Sequence, residues 1–200
     1  MFRILTEKEY RVSQWSGGNT TEITIFPEGS AYADREFLFR VSSATVDLPE
    51  SDYTSLPAYD RLITPLNGEM HLSHDGEREE DVEPFEIHAF DGASETHCRG
   101  TCTDFNLMTR KGRCEGQMAV LEIDPEEAIL LNPVTEKQTA VFYLVNGNVR
   151  FVAGEKEISL SPGDSLILRD EKEEYYLESD DNAVFAVAMA EVLSCDHSFL

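Results

Sequence analysis

The sequence predicts an all-β chain folded as two small jelly-roll barrels. Three observations point there: short runs that alternate polar and apolar residues, Gly-containing turns between them, and a segment that recurs once. A long amphipathic helical period is missing, and residues 50–56 and 125–128 offer at most a helical turn.

Taken in order, Glu22-Ile23-Thr24-Ile25-Phe26 alternates and stops at Pro27, residues 37–42 form a second run, and residues 104–109 a third. Residues 118–123, 140–145, 157–160, 165–168 and 183–187 continue the pattern. Asn67-Gly68, Asp75-Gly76, Asp91-Gly92, Asn146-Gly147 and Pro162-Gly163 punctuate it. Asn-Gly and Asp-Gly supply the positive φ angles of tight hairpins, so these read as hairpin turns. The stretch 67–76 resembles 146–154: each follows an apolar strand and gives a turn, an alternating strand and a second turn. A hairpin that returns at a Pro-Gly-Asp turn, here Pro162-Gly163-Asp164, is the cupin signature. Two copies imply a bicupin in one compact chain: residues 1–115 as the first barrel, 116–200 as the second, with exchange of strands between them allowed.

Charge narrows the partners. Of 200 residues, 39 are acidic and 16 basic, a formal net charge of −23. Such a field repels a nucleic-acid backbone and an anionic membrane. Hydrophobic residues at 41% supply a real core and speak against disorder. No run approaches the roughly 20 apolar residues of a membrane span, and the N-terminus lacks a signal-peptide run. Four cysteines are too few for a disulfide scaffold, so a reduced, cytoplasmic protein is expected.

Metal chemistry needs neutral imidazoles converging on one ion. His71 and His74 are three apart, on opposite faces of a strand, and read as exposed hairpin residues; His88 lies a strand away. The matching hairpin of the second copy has no histidine. His97, Cys98, Cys102, Cys195 and His197 fit no usual zinc spacing, and buried thiols are the simpler reading. Neither a nucleophile elbow nor a phosphate loop nor a dinucleotide fingerprint is present, so no metal or cofactor is expected and no catalytic residue is assigned.

Four motifs stand in order: Trp15-Ser16-Gly17-Gly18-Asn19-Thr20-Thr21-Glu22, Phe39-Arg40-Val41-Ser42-Ser43-Ala44, Asp60-Arg61, and Asp104-Phe105-Asn106-Leu107-Met108. With them the chain resembles the HutD/Ves family over about residues 2–190. These are bacterial double-cupin proteins associated with histidine utilisation and stress-related operons. It departs from the family pattern at Phe39, where a Trp is usual, at Pro57-Ala58 in place of Pro-Gly, and at Phe90-Asp91-Gly92-Ala93. The resemblance implies a bicupin that binds a small acid, such as a formylated glutamate, in a regulatory or protective role in amino-acid catabolism.

Strand geometry puts Arg40 and Ser42 on one face, and Asp104, Asn106 and Met108 on one face of another strand. If these faces line a barrel, Arg40 and Arg61 can grip a carboxylate bidentately. Asp104 would hold one Arg, Asn106 would meet a neutral carbonyl, and Trp15 would close the apolar side. The bland alternatives are an Arg40–Asp104 pair tying two strands and an Arg61–Asp60 pair at the surface. Thr20 is expected as a local backbone partner, and Glu22 as an anchor for the Gly17-Gly18 loop. The expectation is a non-enzymatic binder of a small carboxylate. The alternatives are a cupin lyase, isomerase or hydrolase with Asp104 or His71 as acid–base group, or an acidic interaction module; a homodimer through a barrel edge stays open.

Overall fold

The computed structural model describes residues 1–193. The chain divides into two units, Tyr10–Gln117 with Val192 and Leu193, and Met1–Glu9 with Met118–Glu191. Strands are numbered along the chain, and β1 (Phe2–Leu5) belongs to the second unit. The first barrel contains β2 (Arg11–Trp15), β3 (Gly18–Phe26), β4 (Phe39–Val46), β5 (Glu50–Asp52), β6 (Tyr59–Gly68) and β7 (Met70–His74). It continues with β8 (Glu80–Val82), β9 (His88–Asp91), β10 (Thr96–Arg99) and β11 (Cys102–Arg110). Six strands form one sheet in the order β2-β3-β4-β11-β6-β9, and four form another in the order β5-β10-β7-β8. Among the described residues a single 3-10 turn, Tyr32–Asp34, interrupts the strands; residues 50–52, within the stretch 50–56 that offers at most a helical turn, are strand β5.

The second unit follows with β12 (Cys114–Ile123), β13 (Ala128–Leu131), β14 (Val134–Asn146), β15 (Val149–Ala153) and β16 (Lys156–Leu160). Then come β17 (Ser165–Glu171), β18 (Tyr175–Ser179) and β19 (Ala183–Val192). Its sheets run β1-β17-β14-β19-β12 and β13-β18-β15-β16. Adding eight to each number in β4-β11-β6-β9 and β5-β10-β7-β8 reproduces β12-β19-β14-β17 and β13-β18-β15-β16. The recurrence in the sequence is therefore a repeat of topology. The N-terminal strand Phe2–Leu5 pairs with β17 of the second unit, an exchange of the kind the reading of residues 1–115 as the first barrel allows.

The two Asn-Gly turns do something other than close hairpins. β6 and β7 lie in different sheets, as do β14 and β15, so each turn is a corner where the chain changes sheet. Gly68 has φ +80, and a Cβ there would stand 2.2 Å from the Thr101 carbonyl oxygen. Gly147 has φ +89, with the Asn182 oxygen 2.6 Å from such a Cβ. Only glycine fits so close a crossing. Asp75-Gly76, by contrast, joins the paired strands β7 and β8 as a true hairpin.

Alternation then sorts the side chains. In the second barrel a large apolar cluster fills the interior, with Leu144, Phe151, Leu166, Leu177 and Phe185 essentially inaccessible. Each such side chain contributes about 1.5–3 kcal/mol on burial. In the first barrel Ile63, Met70, Leu72, Val82 and Cys98 fill the floor, with Trp15, Tyr53 and Phe90 packed against them. Phe37, Leu56, Tyr59 and Met108 form a second apolar cluster, and buried polar side chains, Arg40, Ser42, Arg61, Asp104 and Asn106 among them, occupy the same barrel.

Candidate functional site

The register of the six-stranded sheet brings the expected residues together. Arg40 on β4 stands opposite Met108 on β11, and Met108 stands opposite Arg61 on β6. One step along, Ser42 faces Asn106, and Asn106 faces Ile63. Asp104 follows two residues further on the same face. Arg40, Ser42, Arg61, Asp104, Asn106 and Met108 therefore share one inner face and are all buried.

Arg40 is held by protein. Its Nε donates to Glu22 Oε2 at 2.8 Å and its Nη1 to Ser42 Oγ at 3.2 Å, while its guanidinium lies 4.4 Å from the Tyr32 ring. Glu22 is thus the partner of Arg40 and not an anchor for the Gly17-Gly18 loop. A bulge between Glu22 and Thr24 sets the register that puts Glu22 opposite Ser42. Asp104, expected to hold one Arg, makes no hydrogen bond to Arg40, so the pair that would tie two strands is not formed; the charge it interacts with most is Arg61. The glycine loop is fixed instead by backbone: the Asp47 amide donates to the Gly17 carbonyl at 2.7 Å, and a Cβ on Gly18 would stand 2.1 Å from Thr45 O.

Arg61 is different. It is 6% exposed, and its guanidinium lies 4.8 Å from the Phe90 ring and 5.3 Å from the Tyr53 ring. Its Nε has no hydrogen-bond partner among the described residues. Asp60, the surface partner considered from sequence, is exposed and one residue out of phase, so it points to the other face. Burial pulls the Arg61 pKa down, while Tyr53 and Asp104 push it up. Asp104, 3% exposed, has one carboxyl oxygen unpartnered. Burial raises its pKa to about 7, against the pull of Arg61, an amide hydrogen bond from Ala44, and Arg40. Asn106 Oδ1 and Trp15 Nε1 are likewise buried and unpartnered among the described residues.

Two further expected residues take definite places. Met108 packs with Phe37, Leu56 and Tyr59 between the two arginines. Trp15 is half-buried and meets Tyr53 edge-on, with ring centroids 6.3 Å apart, so it reaches Arg61 through that tyrosine. Tyr53, Phe90 and Tyr32 were not read as site residues. Phe90 carried a signal in the alternating run His88-Ala89-Phe90; Tyr53 and Tyr32 sit between strands, where periodicity is silent.

The histidines also differ from expectation. His71 does face outward, on the outer side of the four-stranded sheet with Asp81 at 2.6 Å, and is therefore not an acid–base group of this interior. His74 is no exposed hairpin residue: it shares the inner face of β7 with Met70 and Leu72 and touches His88. Cys98, Cys102 and Cys114 are buried, and burial takes the Cys102 thiol to about 12. Cys195 and His197 lie outside the described residues.

The repeat supplies an internal comparison. Counted from the two Asn-Gly corners and their registers, the second barrel has Ala140 where the first has Arg61, Val187 where it has Asn106, and Phe185 where it has Asp104. A cupin barrel of this chain folds with three apolar residues there. The fold does not ask for the polar ones.

An all-β double barrel with a polar interior in one half defines the class: a bicupin. Solved structures of the same class superpose over nearly the whole chain. A conserved protein of unknown function from Pseudomonas aeruginosa PAO1 (PA5104) has a TM-score of 0.80 at 24% identity, covering 96% of this chain and 99% of that one. HutD from Pseudomonas fluorescens SBW25 has 0.70 at 23%, covering 94% and 98%. The pirin YhhW from Escherichia coli, in complex with nickel(II), has 0.64 at 12%, covering 96% and 99%. The family model HutD matches residues 7–186, and the chain belongs to the HutD family. An uncharacterised 21.2 kDa protein in the hutC 3′ region of Pseudomonas putida is 34% identical over 113 residues, 53% of this chain and 57% of that protein. No helix among the described residues is long and apolar enough to cross a membrane.

Proposed function

We propose that the first barrel binds a small carboxylate-bearing metabolite, with Arg61 as the anion anchor and Arg40 as a second positive group. The observation that carries this is Arg61 itself: a buried guanidinium between two aromatic rings, its Nε unpartnered. A buried charge left unpaired costs several kcal/mol, and a carboxylate accepting two N–H bonds removes that cost. Arg40, already tied to Glu22, contributes field more than hydrogen bonds. The unpartnered oxygens of Asp104 and Asn106 suit a ligand that also carries an amide N–H, as a formylglutamate-like acid does. Membership of the HutD family supports a regulatory or protective role in histidine catabolism, in the cytoplasm. The donor set does not suit a divalent cation such as the nickel of the pirin: two guanidinium groups flank a single buried carboxyl.

The test is a thermal-shift and calorimetric series with glutarate, glutamate and N-formylglutamate. Wild-type protein and Arg150→Ala should be stabilised alike, because Arg150 pairs with Glu178 and Asp180 in the second barrel. Arg61→Met should lose the shift, which amounts to about 2.7 kcal/mol at a hundredfold excess over the dissociation constant. An equal loss in Arg150→Ala, or no binding of any acid to the wild type, refutes the assignment. One observation favours a second reading, a cupin enzyme: a carboxyl near pKa 7, as Asp104 is, can exchange a proton with substrate at neutral pH. Turnover of a bound acid, abolished in Asp104→Asn, would establish it.

A further inference from the structure

The first barrel has a seam that no backbone ladder closes. β9 is the last strand of the six-stranded sheet and β8 the last of the four-stranded one, and they do not pair with each other. Side chains bridge the gap. His88 on β9 brings its Nε2 to 2.9 Å from Nε2 of His74 on β7, and its Nδ1 to 3.8 Å from Glu80 Oε2 on β8. The two ring planes are 5° from parallel with centroids 5.1 Å apart. The centroid distance exceeds the nitrogen distance by about one ring width, so the rings meet nitrogen to nitrogen and do not stack face to face.

We propose that His74 and His88 form a proton-operated clasp across this seam, closed while they share one proton between their Nε2 atoms and released when both are charged. The hydrogen bonds order the chain. The Thr96 hydroxyl donates to the Ser94 carbonyl, so its oxygen accepts from His74 Nδ1–H at 2.9 Å. His74 Nε2 is then the acceptor and His88 Nε2–H the donor, with the other His88 nitrogen turned to Glu80. A second proton on His74 can go only to Nε2, where the His88 N–H already points. The contact must break.

Burial, and after it the nearness of His88, holds the His74 pKa below its ordinary 6.5, while Glu80, Asp75 and Glu77 pull the other way. The neutral form is favoured in the folded state. The stabilisation is therefore full above pH 6.5 and is lost as pH falls through the lowered value of His74. Thr96 is the uncharged neighbour from β10, and the Phe90 ring packs on both imidazoles from β9. Counted as for the site, the second barrel has Ala153 and Leu166 in place of His74 and His88, and its corresponding edge strand β17 pairs with β1. The fold does not require imidazoles here. Release frees Phe90, one wall of the Arg61 site, but the clasp stands whether or not Arg61 takes a carboxylate.

The test is amide hydrogen exchange of residues 88–91 in the intact protein from pH 7.5 to 5, corrected for intrinsic rates. Protection in the wild type should fall at least tenfold across that range. In His74→Gln the amide oxygen still accepts from His88 and cannot be protonated, so protection should stay level. Level protection in the wild type, or an equal fall in His74→Gln, overturns the clasp. Imidazole nitrogen NMR on the wild type gives a second decision without any variant. The His74 imidazole is expected to titrate below its ordinary value, and an ordinary titration of His74 would also overturn the clasp.

Discussion

Replacing Asp104 by Asn separates the burden that the site places on the fold from its use. The folded carboxyl has a pKa of about 7 against 3.8 for the free group, chiefly through burial. The folded value is raised, so the favourable contribution is fully present below pH 3.8 and is lost as pH rises to about 7. Between pH 5 and 7 the ligand-free protein should lose up to about 1.36 kcal/mol per pH unit through this one group, with the slope flattening near pH 7, or roughly 2 kcal/mol in all. Asp104→Asn has nearly the same shape and nothing to ionise. Urea unfolding at pH 5, 6, 7 and 8 should show the wild type weakening relative to the variant, with unchanged slope in denaturant. The difference between the two proteins, not either curve alone, isolates Asp104 from the other acidic residues. A difference independent of pH would mean that Arg61 and Arg40 already neutralise the carboxylate, and the account of an unmet polar interior would fail.

Three further outcomes follow from the same interior. Glu22→Gln removes the charge that pairs Arg40 and should cost about 3 kcal/mol in chemical denaturation, at the low end for a buried pair because the amide oxygen still accepts. Gly68→Ala, at φ +80 and with the Thr101 oxygen 2.2 Å from the new Cβ, should lower the melting temperature far more than Gly154→Ala. Gly154 has φ +62 with open space around it, so its substitution should cost about 1 kcal/mol. Arg61→Met should leave the melting temperature of the ligand-free protein unchanged or higher, because it replaces a buried cation whose Nε is unpartnered by an apolar chain of similar length.

Much of this was legible in the sequence because strands announce themselves with a period of two. Alternation placed Arg40 with Ser42 and Asp104 with Asn106 correctly on shared faces, and the four motifs led to the HutD family. Pairing was not legible. Nothing local distinguishes Glu22 from Asp104 as the partner of Arg40, since the choice depends on which strands become neighbours and on a bulge one residue long. The same limit hid the meaning of Asn67-Gly68: a positive φ serves a hairpin and a sheet-changing corner equally well. His74 and His88 are fourteen residues apart and come together only when two sheet edges do. The aromatic walls of Arg61 lie partly between strands, outside any pattern that periodicity can read.

The place of Arg61 has a consequence for speed as well as for affinity. Its positive charge sits inside a chain of net charge −23, so an approaching carboxylate crosses a repulsive field before it meets the guanidinium. Added salt screens that outer field over about a Debye length, but it barely reaches the buried contact. Association should therefore quicken with ionic strength while dissociation holds steady, the opposite of ligand capture steered by charge. A barrel that takes a carboxylate as proposed would fill more readily in a concentrated ionic medium than in a dilute one.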